Sequence, residues 1–324
     1  MKRMIALAAA MLGVAMLAAP AQADNYPSRR VTIIVPYPAG GPPDQVARVI
    51  ADHLSKQFGQ PFIVEDAPGG GTILGTNKVA HAAPDGYTLL MHNVQIAANV
   101  SLYKKLSFDT AKDLTPVMII NRNPLVIAGR KDLPPNNLAE LLTYLKTHDA
   151  NFAVPGYGTA AHLVAALFAR EVKHPVTLVP YRGGAPAMVA VLGGHVDLFI
   201  GTPQAVVAHA KRGDLKVYGY TGKAPSAQFP KAAKLVKAMG PTFDVGFWEG
   251  MFAPGGTPKA VVAKLNAGLE KVAQDPAVLK LWASQGVTPY PKAERTPAAA
   301  RKMMTREIAF WGHVIRDNHI KLQP

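Results

Sequence analysis

Three short turns in this sequence set glycines at the start of a helical pattern with a polar or aromatic side chain beside them, an arrangement suited to holding an anion. The first is Tyr37-Pro38-Ala39-Gly40-Gly41 with Asp44 just beyond it, and it follows the apolar run Val31 to Val35. The second, Gly156-Tyr157-Gly158-Thr159-Ala160-Ala161-His162, repeats that design, and the third, Tyr181-Arg182-Gly183-Gly184-Ala185, adds a phenol and a guanidinium. Glycine lets the backbone turn its amides outward, and the first N–H groups of a helix lack partners of their own. Together with the helix dipole they favour negative charge. Thr159 is placed to cap its helix, leaving the amides of Ala160, Ala161 and His162 to point outward, while Asp44 is a cap first and a ligand contact second. Each turn alone also fits a plain strand-to-helix connection with no ligand, and Arg182 fits a solvated surface residue. Two such starts facing each other form a pincer for a carboxylate.

The residues needed for common chemistry are not arranged for it. The chain has no cysteine, no G-x-S-x-G and no H-E-x-x-H, and its ten histidines include no pair three or four residues apart. It therefore offers neither a thiol nucleophile nor two metal ligands on one helix face, and no cofactor and no metal are expected. Gly69-Gly70-Gly71-Thr72-Ile73-Leu74 fails G-x-G-x-x-G at Leu74, and Gly222-Lys223 has Val217 where a P-loop needs its first glycine. Ligand capture without turnover is the leading reading. Its rivals are an enzyme using His162 or Asp44 as acid or base, and a sensory receptor presenting its closed form to a membrane kinase.

The elements that must position these turns alternate. Val31 to Val35 reads as a buried strand, Asp44 to Phe58 as a helix with Val46, Val49, Ile50 and Leu54 on one face, and Phe62 to Glu65 and Tyr87 to Met91 as further strands around a helix ending near Ala82. A second β-α set follows, with strands at Leu125 to Ala128, Phe152 to Val154, Thr177 to Val179, Leu198 to Ile200 and Val217 to Tyr220. Helices at Leu138 to Lys146, Ala160 to Val172, Ala187 to Leu192 and Ala205 to Lys211 separate them, and three more helices, the last Pro297 to Asn318, close the chain. The fold class is α/β with two lobes, each a mainly parallel sheet flanked by helices. Crossovers near Ile119 to Pro124 and Phe243 to Gly250 form a hinge, so that residues 24–122 with 250–324 make one lobe and 123–249 the other. Ligands of open α/β sheets sit at the carboxyl ends of the strands, which places the pincer in the cleft.

Met1-Lys2-Arg3, an apolar run to about Ala19 and Ala21-Gln22-Ala23 read as a secretory signal peptide, residues 1–23, cleaved after Ala23. The run is shorter than the roughly 20 strongly apolar residues of a stable membrane span. Without a cysteine the exported chain is neither lipidated nor disulfide-bonded, so a free periplasmic protein is expected. Of 35 basic residues Lys2 and Arg3 are lost with that peptide, leaving 33 against 21 acidic ones. This charge is scattered rather than clustered with aromatics, which argues against nucleic acid and fits steering of a small anion toward the cleft.

Tyr26-Pro27-Ser28-Arg29, Val35-Pro36-Tyr37-Pro38-Ala39-Gly40-Gly41, Ala83-Pro84-Asp85-Gly86-Tyr87-Thr88-Leu89-Leu90, Val179-Pro180-Tyr181-Arg182-Gly183-Gly184-Ala185-Pro186, Leu192-Gly193-Gly194-His195-Val196 and Phe252-Ala253-Pro254-Gly255-Gly256-Thr257-Pro258 together resemble the periplasmic substrate-binding proteins of tripartite tricarboxylate transporters, the Bug-type receptors. The resemblance covers essentially the whole chain after residue 23. It implies a two-lobed Venus-flytrap fold and no chemistry on the ligand. It also implies a small organic carboxylate as ligand, and delivery by a monomer to a membrane permease of one large and one small subunit. Carried over by position, it implies that Tyr37 to Asp44 and Tyr157 to His162 hold the carboxylate, and that Asn93, Tyr181, Gly183, Gly184, Ala185 and Thr202 line the pocket. Three departures stand out. Pro42-Pro43 replaces a glycine and threonine, removing two amide donors and a hydroxyl; Asp66-Ala67-Pro68-Gly69 stands for Asn-Arg-Pro-Gly; and Gly201-Thr202 stands for Asp-Asn. Losing that acid removes a partner for an amino group and favours a carboxylate without an amine.

Overall fold

The computed structural model describes residues 25–317 and residue 320. The expected signal peptide lies outside the described residues, as does Asn318 at the end of the last expected helix. Two sheets carry the fold. The first has the order β2-β1-β3-β11-β4, built from β1 (Val31–Val35), β2 (Phe62–Asp66), β3 (Thr88–Asn93), β4 (Leu114–Asn123) and β11 (Phe247–Pro254). The second has the order β10-β9-β5-β8-β6-β7, from β5 (Val126–Arg130), β6 (Ala150–Val154), β7 (Val176–Pro180), β8 (Leu198–Gly201), β9 (Leu215–Tyr220) and β10 (Ala233–Lys234). In each sheet one strand opposes all the others: β11 runs antiparallel to β3 and β4, and β5 antiparallel to β8 and β9.

Those two strands are the ones that follow a passage between sheets. The chain leaves β4 at Asn123 and enters β5 at Val126, and it returns into β11 after the 3-10 turn Pro241–Phe243. A strand that enters a lobe from the other lobe starts at the edge where its neighbours end, so it must run against them. The first passage is pinned at once, because Thr221 Oγ1 accepts from Leu125 N at 2.8 Å and Thr221 N donates to Leu125 O at 2.9 Å.

The helices in chain order are α1 (Pro42–Phe58), α2 (Ile73–Ala80), α3 (Gln95–Leu102), α4 (Leu138–Tyr144), α5 (Ala160–Val172), α6 (Gly184–Leu192), α7 (Pro203–Arg212), α8 (Leu235–Met239), α9 (Lys259–Val272), α10 (Pro276–Gln285) and α11 (Pro297–Asp317). Helix α1 begins two residues before the expected Asp44, since proline suits the first helical positions, where its missing N–H would be unpaired anyway. Helix α3 and the ten-residue β4 were not expected. The QIAANVSL of α3 carries no capping signal, its N-cap being Val94, and β4 contains Pro116 and ends in Asn-Arg-Asn. Tertiary packing overrides both, with α11 lying against α3 and β4 and α9 against α1 and β4.

Burial holds this arrangement together. Leu89, Met91, Ile33 and Val35 of the first sheet pack with Val46, Ile50 and Leu54 of α1 and with Leu265 and Trp282 of the carboxy-terminal helices. On the other face Trp248 and Trp311 each donate an indole N–H to the same Glu307 Oε2 at 3.2 Å, satisfying two buried donors at one carboxylate. Truncating a buried tryptophan of this kind costs roughly 3–5 kcal/mol. The two lobes also touch beside the hinge. A Cβ on Gly286, which has φ +74°, would come within 2.7 Å of Pro203 Cβ at the start of α7, and Gln228 Nε2 donates to Ala283 O at 2.8 Å.

Candidate functional site

Strand register brings the carboxyl edges of the two sheets to the hinge. Val126, the first residue of β5, pairs with Gly201 at the end of β8 and with Tyr220 at the end of β9, while Glu249 near the start of β11 pairs with Asn93 at the end of β3. The loops after β1, β3, β6, β7 and β8 therefore open on the side where the chain passes between sheets. Every site residue read from the sequence lies in one of those loops, at the strand end feeding it or in the first turn of the helix that follows.

In the first lobe Tyr37 follows β1 and is half-buried, whereas Pro38, Ala39 and Gly40 are exposed. The Tyr37 hydroxyl lies 3.2 Å from His92 Nδ1, and the rings meet edge to face at 5.5 Å. His92 Nδ1 also lies 2.8 Å from Asn93 N and 3.0 Å from Asn93 O, and Nε2 lies 3.1 Å from Thr72 Oγ1, so the ring is tied to the strand end on one side and to Thr72 on the other. Burial pushes His92 down to about 3 and Tyr37 well above its usual range, so both are neutral. Thr72 sits at φ +80°, unusual for a β-branched residue, and is held there by His92 and by Asn99 Nδ2 at 3.1 Å.

Asp44 is buried, but as the third residue of α1 it is not the N-cap; that position falls to Gly41, which supplies no side chain. Its Oδ2 reaches back to accept from Gly40 N at 2.7 Å, and its Oδ1 is 2.7 Å from Arg48 Nε. Arg48 also holds Asp66 at 2.9 Å. Since Pro42 and Pro43 have no N–H and Gly40 N is taken, the amide of Asp44 is what this helix start has left to offer. Asn93 lies buried at the end of β3 with its Oδ1 accepting from Gln95 N at 2.9 Å.

The second lobe is richer in donors. Thr159 caps α5, accepting from His162 N at 3.2 Å while its hydroxyl donates to Gly156 O at 2.8 Å. The amide of His162 is thus spent inside the turn rather than aimed outward, and the donors at the helix start are Ala160 and Ala161. His162 Nδ1 accepts from Gly158 N at 3.3 Å, its ring meets Tyr157 edge to face at 5.3 Å, and burial lowers it to about 4. It is a neutral imidazole at ordinary pH. Strands β8, β6 and β7 are neighbours, so their loops lie side by side, and Tyr181 N donates to Val154 O at 2.9 Å. Gly183 at φ +115° and Gly184 have open space where a Cβ would stand, and Ala185 is exposed beside them. Thr202 is buried at the N-cap of α7 with its hydroxyl unpaired among the described residues, and Gln204 next to it has both amide atoms buried and unpaired.

Four of these groups were not read from the sequence: His92, Thr72, Gln204 and Glu249. Glu249 is fully buried on β11, its Oε2 accepting from Asn121 Nδ2 at 2.5 Å and its Oε1 unpaired among the described residues. Burial pushes it up to about 7 against the opposing pull of that hydrogen bond. The signal available for it was a lone acid inside the apolar stretch Val245 to Ala253. A cavity of about 340 Å³ lies elsewhere, between β9, β10 and the start of α4, and none of the expected site residues lines it.

Residues 46–320 match the family described as "Tripartite tricarboxylate transporter family receptor". The chain belongs to that family. This receptor is 33% identical to Protein BugT of Bordetella pertussis over 327 residues, covering 100% of this chain and 99% of that protein. Among solved structures, the periplasmic binding protein BugD superimposes on the receptor with a TM-score of 0.85 at 32% identity, over 92% of this chain and 100% of that one. MatC from Rhodopseudomonas palustris, solved with bound malate, gives 0.83 at 34% identity over 90% and 100%. The expected two-lobed binding-protein architecture is the one this receptor has.

Proposed function

We propose that this receptor captures a small organic carboxylate in the periplasm, between its two lobes, and delivers it to the permease of a tripartite tricarboxylate transporter. The observation that carries the reading is the start of α5. Thr159 caps the turn internally, so the Ala160 and Ala161 amides and the positive end of the helix dipole are left for an anion. Family membership and the malate held by MatC support the same ligand class. In this reading the first-lobe loop Tyr37 to Asp44 closes over the ligand, and Asn93, Tyr181, Gly183, Gly184, Ala185 and Thr202 line the remaining wall. The hinge divides residues 24–122 and 250–324 from 123–249. The signal peptide is cleaved after Ala23, the mature chain is an unlipidated monomer needing no cofactor, metal or nucleic acid, and the permease has one large and one small subunit.

Catalysis by His162 or Asp44 finds no support in their surroundings. The Nδ1 of His162 is occupied by Gly158 N, and Asp44 is committed to Gly40 N and Arg48. A thermal-shift screen of the purified, unliganded protein against aliphatic and aromatic carboxylates tests the proposal. Stabilisation that grows with the concentration of at least one acid, with the acid recovered unchanged, is the expected result; no shift with any of them rejects it.

A further inference from the structure

Glu249 lies fully buried at the hinge end of the first sheet, with no ion-pair partner among the described residues. It lies in register between Asn93 of β3 and Asn121 of β4, so it sits where both passages between the lobes begin and end. Asn121 is held by a chain of amides: its Oδ1 accepts from Asn123 Nδ2 at 3.3 Å, and Asn123 Oδ1 accepts from Thr288 N at 2.7 Å. That chain fixes the Asn121 Nδ2 as the donor to Glu249 Oε2 and leaves Oε1 with no partner among the described residues. The titratable groups around it are few. Tyr37 of the β1–α1 turn feels its charge, His92 of β3 is neutral, and Arg122 of β4 pairs in register with Trp248, one residue over. No lysine, arginine or histidine forms an ion pair with it among the described residues. A buried carboxyl with one oxygen unmet is costly unless it keeps its proton and finds an acceptor.

We infer that Glu249 is a specificity-determining residue of the cleft: in its protonated form it donates Oε1–H to an oxygen on the far end of the ligand while the start of α5 takes the near carboxylate. The ligand class is then a dicarboxylate or hydroxycarboxylate rather than a plain monocarboxylate. This deepens the receptor reading above and rests on it. Burial holds the carboxyl at about 7, so its proton is largely present at pH 6 and largely gone at pH 8. His162, lowered to about 4, and Tyr37 stay neutral across that interval and do not contribute to the change.

The test is calorimetric titration of malate, succinate and adipate, and of monocarboxylates of matching length, into the wild type, Glu249→Gln and Glu249→Leu at pH 6 and pH 8. The wild type should prefer the two-ended acids and lose about tenfold in affinity between those pH values, since of Glu249, His92, His162 and Tyr37 only Glu249 changes charge there. Glu249→Gln, which keeps a donor and loses the titration, should bind within a few-fold of the wild type at pH 6 and show no pH dependence. Glu249→Leu should lose most of the preference for two-ended acids. If Glu249→Leu does not fold, the pH profile of Glu249→Gln decides alone. Affinity that rises with pH, or a wild-type pH profile in Glu249→Gln, overturns the assignment. If the acids bind the wild type and both variants alike, only the role of Glu249 falls; if none binds the wild type at either pH, the receptor reading falls and this inference with it.

Discussion

The two helix starts that face the hinge are built from the same parts and put to different use. Each carries a tyrosine set edge to face against a neutral, buried histidine, Tyr37 on His92 and Tyr157 on His162. In the first lobe two prolines strip the helix of amides and the histidine comes from a neighbouring strand, so the turn sets its phenol against His92 and leaves Pro38, Ala39 and Gly40 exposed. In the second lobe the histidine belongs to the helix itself, the cap is a threonine and two alanine amides remain. In the proposed pincer, then, the second start would supply donors and the first would supply shape.

Acid should undo both jaws, and this is the largest expected effect. An imidazole kept neutral by the fold contributes stability that is complete above its ordinary value of about 6.5 and is lost as pH falls toward the folded value, about 4 for His162 and about 3 for His92. Fully expressed, the shift corresponds to about 3 kcal/mol for His162 and about 5 kcal/mol for His92. Titration of the histidine C2–H resonances should find these two well below 6.5, and titration of both near 6.5 would mean that the rings are not buried as described. Next comes Ala160→Pro, which copies the first-lobe jaw onto the second. Proline is tolerated at the first helical position, so the helix should persist by circular dichroism, while carboxylate affinity falls by about tenfold to a hundredfold for one lost charge-assisted donor. Unchanged affinity would erase the distinction between the jaws.

Asp44→Asn probes the first jaw as structure rather than as donor. It should cost about 1–2 kcal/mol in denaturant unfolding, since Arg48, its charged partner, is more than half exposed, and leave affinity within a few-fold. A loss of affinity larger than the loss of stability would make Asp44 a ligand contact. The smallest effect belongs to Thr159→Ala, which removes the α5 cap for about 1 kcal/mol and lowers the melting temperature by a few degrees. Because it also frees the amide of His162, it should not weaken binding as Ala160→Pro does.

Legibility in the sequence followed the range of the interaction. The α5 start was readable because Thr159, Ala160, Ala161 and His162 are consecutive, and a cap is a contact across three residues. Helix α3 escaped because its N-cap, Val94, supplies no side-chain cap and only Asn93 Oδ1 meets its first amide; it is held by α11 and by Gln95 and Asn99 reaching Gly71 O. The passages between lobes were visible as segments, but the reversed direction of β5 and β11 follows only from where a crossing strand has to enter.

Residue order alone was enough to set the glycine turns, the proline-rich and threonine-capped helix starts, the alternation of strands and helices and the missing catalytic motifs, because each depends on neighbours along the chain. The tertiary structure decided which side chains meet at the hinge end of the first sheet. Glu249 meets Asn121 across 128 residues of sequence and Tyr37 meets His92 across 55, pairings set by strand register that no local pattern encodes. Whether a carboxyl is an ordinary surface acid or a proton-holding group depends on that burial, and burial is a property of the assembled sheet.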